Sequence, residues 1–319
     1  MQSNKGKFRI GLIGLGQMGR NHLRVLSLLK GVEIKFIYDL DLAILKEMSK
    51  IFEVPAIKNL RGVWPIADAV IICSPTSTHS AMLRMASKHV KNIFVEKPLS
   101  HSLECTRSDL EFIKNNNLNV QVGFIERFNP AVQKLKSVLE QSEQVVNIDF
   151  TRTNRLSSRI KDVDVVTDLM IHDIDLAIYL NGPVKIVTAQ GMIENGMVAL
   201  ASAHLVHGNG RLSRIHSSRI TERKIRKIQA TCIDCFVDCD LLRKELLIHR
   251  QSETETDSKE IYSINSIEQA VQVKQQEPLL TEIQSFLAFC HNRNNQIPTP
   301  NDAFNAADIC EKVLREIVD

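Results

Sequence analysis

The chain has 319 residues, 44% hydrophobic and 24% charged, enough to bury one large core or two smaller ones. A net charge of +3 is too slight to require nucleic acid or an anionic membrane as partner, and leaves an anionic small molecule open. Seven cysteines, an odd number scattered along the chain, fit a reducing compartment better than a disulfide framework. No run approaches the ~18 apolar residues of a membrane span. The start "MQSNKGKFRI" lacks the pattern of a signal peptide. A cytoplasmic protein is expected, with no nucleic acid and no membrane as partner.

From Phe8 to about Gly123, short apolar runs alternate with helix-period segments, the rhythm of βαβ units. Strands are predicted at 8–13, 32–38, 69–74, 92–96 and 119–124, forming a parallel sheet buried on both faces. Asp41 is placed to cap the second helix, and Gly31 to stop the first. After "RFNP" (127–130) the texture changes: a helix at 130–140 and one opening on "TDLMIHDID" (167–175) precede extended runs without helices between them. Asn209-Gly210 reads as a hairpin turn. The tail returns to helix, with Pro278 at a first helical position and Asp302 as the cap of the last helix. The fold class is α/β: a Rossmann dinucleotide-binding domain over 1–125, then an α/β domain over 126–319 with an open, largely antiparallel sheet.

"GLIGLGQMGRNH" sets Gly14, Gly16 and Gly19 as GxGxxG between a strand and a helix. The first glycine turns the chain, the second lets a pyrophosphate approach, and the third allows close helix packing. Gln17 and Met18, in the same turn, are counted with the cofactor contacts. Asp39 ends the second strand 20 residues after Gly19, where a carboxylate accepts from a ribose 2'-hydroxyl and repels a 2'-phosphate; NAD is favoured over NADP. Ser74, Pro75 and His79 of "SPTSTHS" follow the third strand at the sheet's carboxyl edge, where ligands bind in open α/β folds, although a histidine there is also an ordinary helix-start residue. Glu96 and Lys97 of "FVEKPLS" leave the fourth strand at the same edge, and Pro98 biases Lys97 to an extended conformation and admits a cis bond.

In "TDLMIHDID", Asp168 and Asp175 flank His172 at helical spacing. A carboxylate beside an imidazole fixes its tautomer and stabilises its charged form, which makes either a structural knot or a proton-transfer site. "RLSRIHSSRITERKIRK" (211–227) holds seven Lys or Arg against Glu222 alone, and reads as a solvated or subunit-contacting sheet edge, with an anion-binding role as the sharper alternative. In "CIDCFVDC", Cys232 and Cys235 lie three apart in a strand-like run and so point to opposite faces; without a fourth ligand nearby, no metal is expected.

The order GxGxxG, acidic end of strand two, "EKP" and "DLMIHDID" resembles the glucose-fructose oxidoreductase and inositol dehydrogenase family of sugar dehydrogenases over nearly the whole chain. The resemblance implies that Lys97, Asp168 and His172 surround the reacting carbinol and that the last helix packs back on the first domain. "GQMGRNHLRVL", "GFIERFNPAV" and "EPLLTEIQSF" look most like the UDP-N-acetylglucosamine 3-dehydrogenase branch. Asp164 and Met170 depart from it, standing where glycines are expected around the catalytic helix. The implied function is NAD-dependent oxidation of the 3-hydroxyl of a UDP-N-acetylhexosamine, with Arg127 and Asn129 as substrate contacts beside Asp168 and His172. His172 serves as general base, or alternatively Lys97 does. The competing functions are a dehydrogenase of a free cyclitol or monosaccharide and a non-catalytic dinucleotide-binding regulator. A homo-oligomer, dimer or tetramer, is expected through the second-domain sheet.

Overall fold

The computed structural model describes residues 6–155, 164–251, 255–256, 262–263, 266–291 and 297–318, so the polar start before Gly6 lies outside the described residues. The chain divides into two compact units: the first runs to Ile125 and takes in Leu279–Ala307, and the second comprises Glu126–Pro278 and the chain from Asp308 on.

In the first unit five parallel strands, β1 (Phe8–Ile13), β2 (Val32–Tyr38), β3 (Ala69–Ile72), β4 (Asn92–Glu96) and β5 (Asn119–Gly123), lie in the order β2-β1-β3-β4-β5. Helices α1 (Gln17–Leu28), α2 (Leu42–Phe52), α3 (His79–Ala86) and α4 (Leu103–Asn115) connect them. β3 is buried throughout, as its unbroken apolar run requires of a strand covered on both faces. Asp41 caps α2 by accepting from the Ala43 and Ile44 amides. α1 ends before Gly31, at an extended Leu29, without a left-handed glycine. Strand order reverses between β1 and β3, and parallel strands bring all their carboxyl ends to one edge. That edge receives Gly14, Asp39, Ser74 and Lys97 together, each just past its strand.

Helix α7 (Pro278–His291) belongs to the same core: Leu279, Ile283 and Phe286 pack with Ile10, Leu12 and Phe94, and the Phe286 and Phe94 rings meet edge to face at 5.7 Å. Helix α8 (Pro300–Val318) is capped by Thr299, not by Asp302 as the sequence suggested. The Thr299 hydroxyl accepts from the Asp302 amide, and the Asp302 carboxylate reaches back to the Thr299 amide at 2.7 Å, a reciprocal capping box.

The second unit opens on α5 (Pro130–Gln141), with Asn129 as its cap. Its main sheet has eight strands in the order β15-β12-β11-β10-β6-β9-β8-β7. These are β6 (Val145–Thr153), β7 (Val184–Glu194), β8 (Met197–His207), β9 (Leu212–Ser218), β10 (Ile225–Cys232), β11 (Phe236–Asp240), β12 (Glu245–Gln251) and β15 (Ser266–Val271); β13 (Glu255–Thr256) and β14 (Tyr262–Ser263) pair separately. All neighbours in the main sheet are antiparallel except β6 and β9. A π-helical turn (Val166–Met170) leads into α6 (Ile171–Asn181), which packs on β6 and β9.

Several local expectations change on folding. The β8–β9 turn holds only Gly210, not Asn209, at positive φ, and a second hairpin signal, Asn195-Gly196, turns β7 into β8 with both residues left-handed. The basic run 211–227 is not a sheet edge: β9 and β10 flank β6 in the interior of the sheet, and Arg214, Arg219, Arg226 and Lys227 meet Asp149, Asp168, Glu126 and Asp238. Cys232 and Cys235 do not point apart, because the chain reverses between them. No helix among the described residues is long and apolar enough to cross a membrane.

Charge is buried beneath α6. Arg152 of β6, 2% exposed, donates to Asp173 through Nε and Nη2, both at 2.8 Å, and to Glu126 through Nη1 at 2.9 Å. Burial alone would raise the Glu126 carboxyl, but the charges of Arg152 and Arg226 outweigh it and hold the group below its ordinary value. Replacing Arg152 by Met strands two buried carboxylates, so Arg152→Met should lose about 3–5 kcal/mol in chemical denaturation. The double variant Arg152→Met/Asp173→Leu should recover part of that. A loss below about 1 kcal/mol, the scale of an exposed pair, would contradict this account.

Candidate active site

The β1–α1 turn has the shape a dinucleotide needs. Gly14 has φ +88, and a Cβ there would come 2.4 Å from the Ser74 amide nitrogen; at Gly19 a Cβ would come 1.9 Å from the Gly14 carbonyl oxygen. At Gly16, by contrast, nothing lies within 4 Å of the Cβ position, and Gly16 is the N-cap of α1 without a side-chain cap. Open space over uncapped helix amides is what a pyrophosphate occupies. Asp39 accepts from the Leu15 amide at 2.6 Å and the Asp41 amide at 2.8 Å, which fixes its carboxylate beside the turn. Gln17 is exposed, whereas Met18 packs against the apolar core.

Two further loops at this edge are tied to each other by His79. Its ring is buried, with Nε2 2.8 Å from the Ser74 carbonyl and Nδ1 2.9 Å from the Pro98 carbonyl. Burial lowers its pKa, and the ring nitrogen that carries the proton donates to its carbonyl, so the ring lies packed between the Ser74–Pro75 loop and the cis Lys97–Pro98 bond. Ser74 also meets Thr78, hydroxyl to hydroxyl, at 2.7 Å.

Glu96 anchors the other side of Lys97. One carboxylate oxygen lies 2.8 Å from His22 Nε2, and the other accepts from the Lys97 amide at 3.2 Å. Gly123 makes room for it, since a Cβ there would come 2.8 Å from Glu96 Oε2. Cys73 completes a close group, with donor atoms of His22, Cys73 and Glu96 all within 4.8 Å of one another. Burial and the charges of Glu96 and Glu282 push the Cys73 thiol well up. Sequence reasoning passed over His22, Cys73 and Glu282. The available signal was a polar residue on an apolar stripe: His22 beside Gly19, Leu23 and Leu26, and Glu282 beside Leu279, Ile283 and Phe286.

Glu282 is fully buried, and burial together with the Glu96 charge raises its carboxyl well above the ordinary range. A raised folded pKa favours the neutral acid, so its contribution to stability is whole below the unfolded value near ~4.3 and is lost as pH rises toward the folded value. Glu282→Gln, neutral at every pH, should therefore gain in stability relative to the parent as pH is raised from ~5 to ~8. A difference independent of pH in thermal melts would show that Glu282 does not carry the proton.

In the second unit, each aspartate of "TDLMIHDID" meets an arginine from elsewhere in the unit. Arg219 donates to Asp168 at 2.8 Å, Arg152 grips Asp173 as above, and Arg127 holds Asp175 through two bonds of 2.6 and 2.8 Å. Asp164 caps the turn, accepting from the Val166 and Thr167 amides, and Met170 is fully buried. His172 lies half-buried among these fixed neighbours, one turn beyond Asp168.

The residues expected as substrate contacts, Arg127 and Asn129, have partners within the protein. Arg127 is buried, bound to Asp175 and stacked 4.9 Å over the Tyr179 ring; Asn129 caps α5 and donates to Glu126 and to the Leu241 carbonyl. Both bind the protein to itself because "RFNP" turns inward beneath α6, out of solvent.

Together the glycine turn, Asp39 and the parallel sheet define an oxidoreductase domain that binds NAD. Residues 8–124 match the model described as an oxidoreductase family with an NAD-binding Rossmann fold, and residues 141–232 match the C-terminal domain model of the same group. The chain belongs to the GFO/IDH/MocA family of oxidoreductases. It is 31% identical over 234 residues to the uncharacterized oxidoreductase YrbE of Bacillus subtilis, 66% of each chain. It is 31% identical over 232 residues to a myo-inositol 2-dehydrogenase of Thermotoga maritima, 66% of this chain and 68% of the other. It is 26% identical over 283 residues to a UDP-N-acetylglucosamine 3-dehydrogenase of Acidithiobacillus ferrooxidans, 88% and 87% of the two chains. The solved structure of that enzyme superposes with a TM-score of 0.88 over 98% of each chain at 23% identity, a likeness of fold.

The glycine spacing gives a paired test. Gly19→Ala should cost about 1–3 kcal/mol of stability by overpacking against the Gly14 carbonyl. Gly16→Ala should melt near the parent temperature yet bind NAD roughly tenfold more weakly. Unchanged NAD affinity in folded Gly16→Ala would place the pyrophosphate elsewhere.

Proposed function

We propose that the protein is an NAD-dependent dehydrogenase of a secondary alcohol on a sugar, and that its substrate is a UDP-N-acetylhexosamine oxidised at the 3-hydroxyl. The observation that carries the chemistry is Asp168 one turn before half-buried His172, on a segment whose aspartates are held by Arg219, Arg152 and Arg127. General acid–base work needs such a fixed imidazole. The choice of substrate rests on the UDP-N-acetylglucosamine 3-dehydrogenase relative, 26% identical over 88% of this chain.

Gly14, Gly16, Gly19 and Asp39 would hold NAD, which would supply the acceptor for the hydride of the carbinol carbon. His172 takes the hydroxyl proton. Asp168 stabilises the resulting imidazolium, itself kept in place by Arg219. Lys97, positioned through Glu96 and the His79 ring, hydrogen-bonds the substrate oxygen and stabilises alkoxide charge as it develops. Retention of Lys97, Asp168 and His172 together weighs against a non-catalytic regulator.

A second substrate, a free cyclitol, is supported by a specific observation: Arg127 and Asn129, expected to meet a diphosphate, hydrogen-bond within the protein. The inositol dehydrogenase relatives point the same way. For assembly, we propose that copies pair through the sheet of the second unit, whose edge strand β7 exposes Ile186, Met192 and Ile193.

Reduced nicotinamide should accumulate with UDP-N-acetylglucosamine or its C4 epimer when NAD is supplied. His172→Ala and Lys97→Met should each lose about 100-fold or more in kcat while binding NAD as the parent does. Turnover of inositol with no binding of any UDP-sugar would replace the first substrate with the second. Near-normal kcat in both variants would remove the mechanism.

A further inference from the structure

The hairpin joining β10 to β11 holds chemistry that alcohol oxidation does not use. Thr231 pairs with Phe236 in antiparallel register, so the next pair outward is Cys232 opposite Cys235, and the Cys232 amide donates to the Cys235 carbonyl at 2.8 Å. Directly opposed residues of a hydrogen-bonded antiparallel pair share one face, with Cα atoms about 5.5 Å apart. That separation falls inside the ~4.4–6.8 Å range of disulfides. The two sulfurs, both free thiols, lie with an Asp234 carboxylate oxygen all within 4.8 Å of one another. Rotation about the side-chain bonds is enough to join them.

The tip is also held in place. The Ile233 amide donates to the Gln144 carbonyl at 2.9 Å, the Glu143 amide to Asp234 at 3.2 Å, and the Ser142 hydroxyl lies 3.6 Å from Cys235 Sγ. The remaining cysteine of the hairpin, Cys239, faces Ile228 on one side and Leu246 on the other, with no thiol opposite it. Burial, with Cys235 and Asp234 nearby, pushes the Cys232 thiol up to about 11, so Cys232 keeps its proton in the resting pair.

We propose that Cys232 and Cys235 form a redox-active dithiol that closes reversibly to a disulfide by exchange with low-molecular-weight disulfides. The Cys235 thiolate attacks one sulfur of the small disulfide and displaces one small thiol. Cys232 then gives up its proton to solvent and attacks the Cys235 sulfur of the mixed disulfide, displacing the second. The protein loses two electrons and two protons, and the small disulfide becomes two thiols. A bridge spanning two residues removes little chain entropy from the unfolded state, so closure is weakly held and reopens under reducing conditions.

The test uses the folded full chain equilibrated with oxidised and reduced glutathione at a series of ratios, quenched with an alkylating agent and mapped by mass spectrometry. The expected result is a peptide in which Cys232 and Cys235 are joined to each other, the other five of the seven cysteines remain alkylatable, and dithiothreitol restores both thiols. Cys232→Ser should instead stop with one glutathionyl group on Cys235, since the resolving thiol is gone. Recovery of both cysteines as open thiols at every ratio overturns the proposal. Linkage of either to another cysteine, or closure only after unfolding in urea, overturns it as well.

Discussion

A charge buried without its counter-charge costs several kcal/mol, and the second unit is built around meeting that constraint at Arg152. The residue sits at the middle of the sheet on β6, and its guanidinium fork reaches Asp173 on α6 and Glu126 at the start of the unit. Any rotation of α6 about its axis would separate Asp173 from Arg152 and Asp175 from Arg127 at once. The helix that carries His172 is thereby held to one angle and one register. Apolar packing alone is less selective, because burial of Ile171, Ile174, Leu176 and Ala177 is not directional.

The first unit achieves comparable fixity by other means. A parallel sheet delivers four loops to one edge, but it does not hold them there. His79 joins the loop after β3 to the Lys97–Pro98 bond, Glu96 joins the end of β4 to α1 through His22, and Asp39 joins the end of β2 to the glycine turn. These links are buried or half-buried polar contacts, and each ends on backbone or on an imidazole ring. Glu282 lies buried behind Glu96, and burial with the Glu96 charge raises its carboxyl well above the ordinary range, which favours the neutral acid there.

The hairpin dithiol belongs to a different scale of organisation. Its existence depends on a chain reversal of two residues, and a strand rule applied to the linear sequence gives the opposite geometry. The basic run 211–227 illustrates the same point, since its cations meet acids that lie tens of residues away, such as Asp149 and Glu126.

The sequence by itself determined what depends on near neighbours. The strands of the parallel sheet, the GxGxxG turn, Asp41 as a cap and the acidic end of β2 could all be read locally, because backbone dihedrals and apolar periodicity are set within a few residues. Tertiary structure alone decided which polar groups are consumed by the fold. Arg127 and Asn129, expected as substrate contacts, hydrogen-bond within the protein, while His22, Cys73 and Glu282 look incidental in the chain and converge around Glu96. The physical reason is that a buried polar group must find its partner wherever the packing places one, and that partner comes from a strand or helix whose position is fixed only when the core closes.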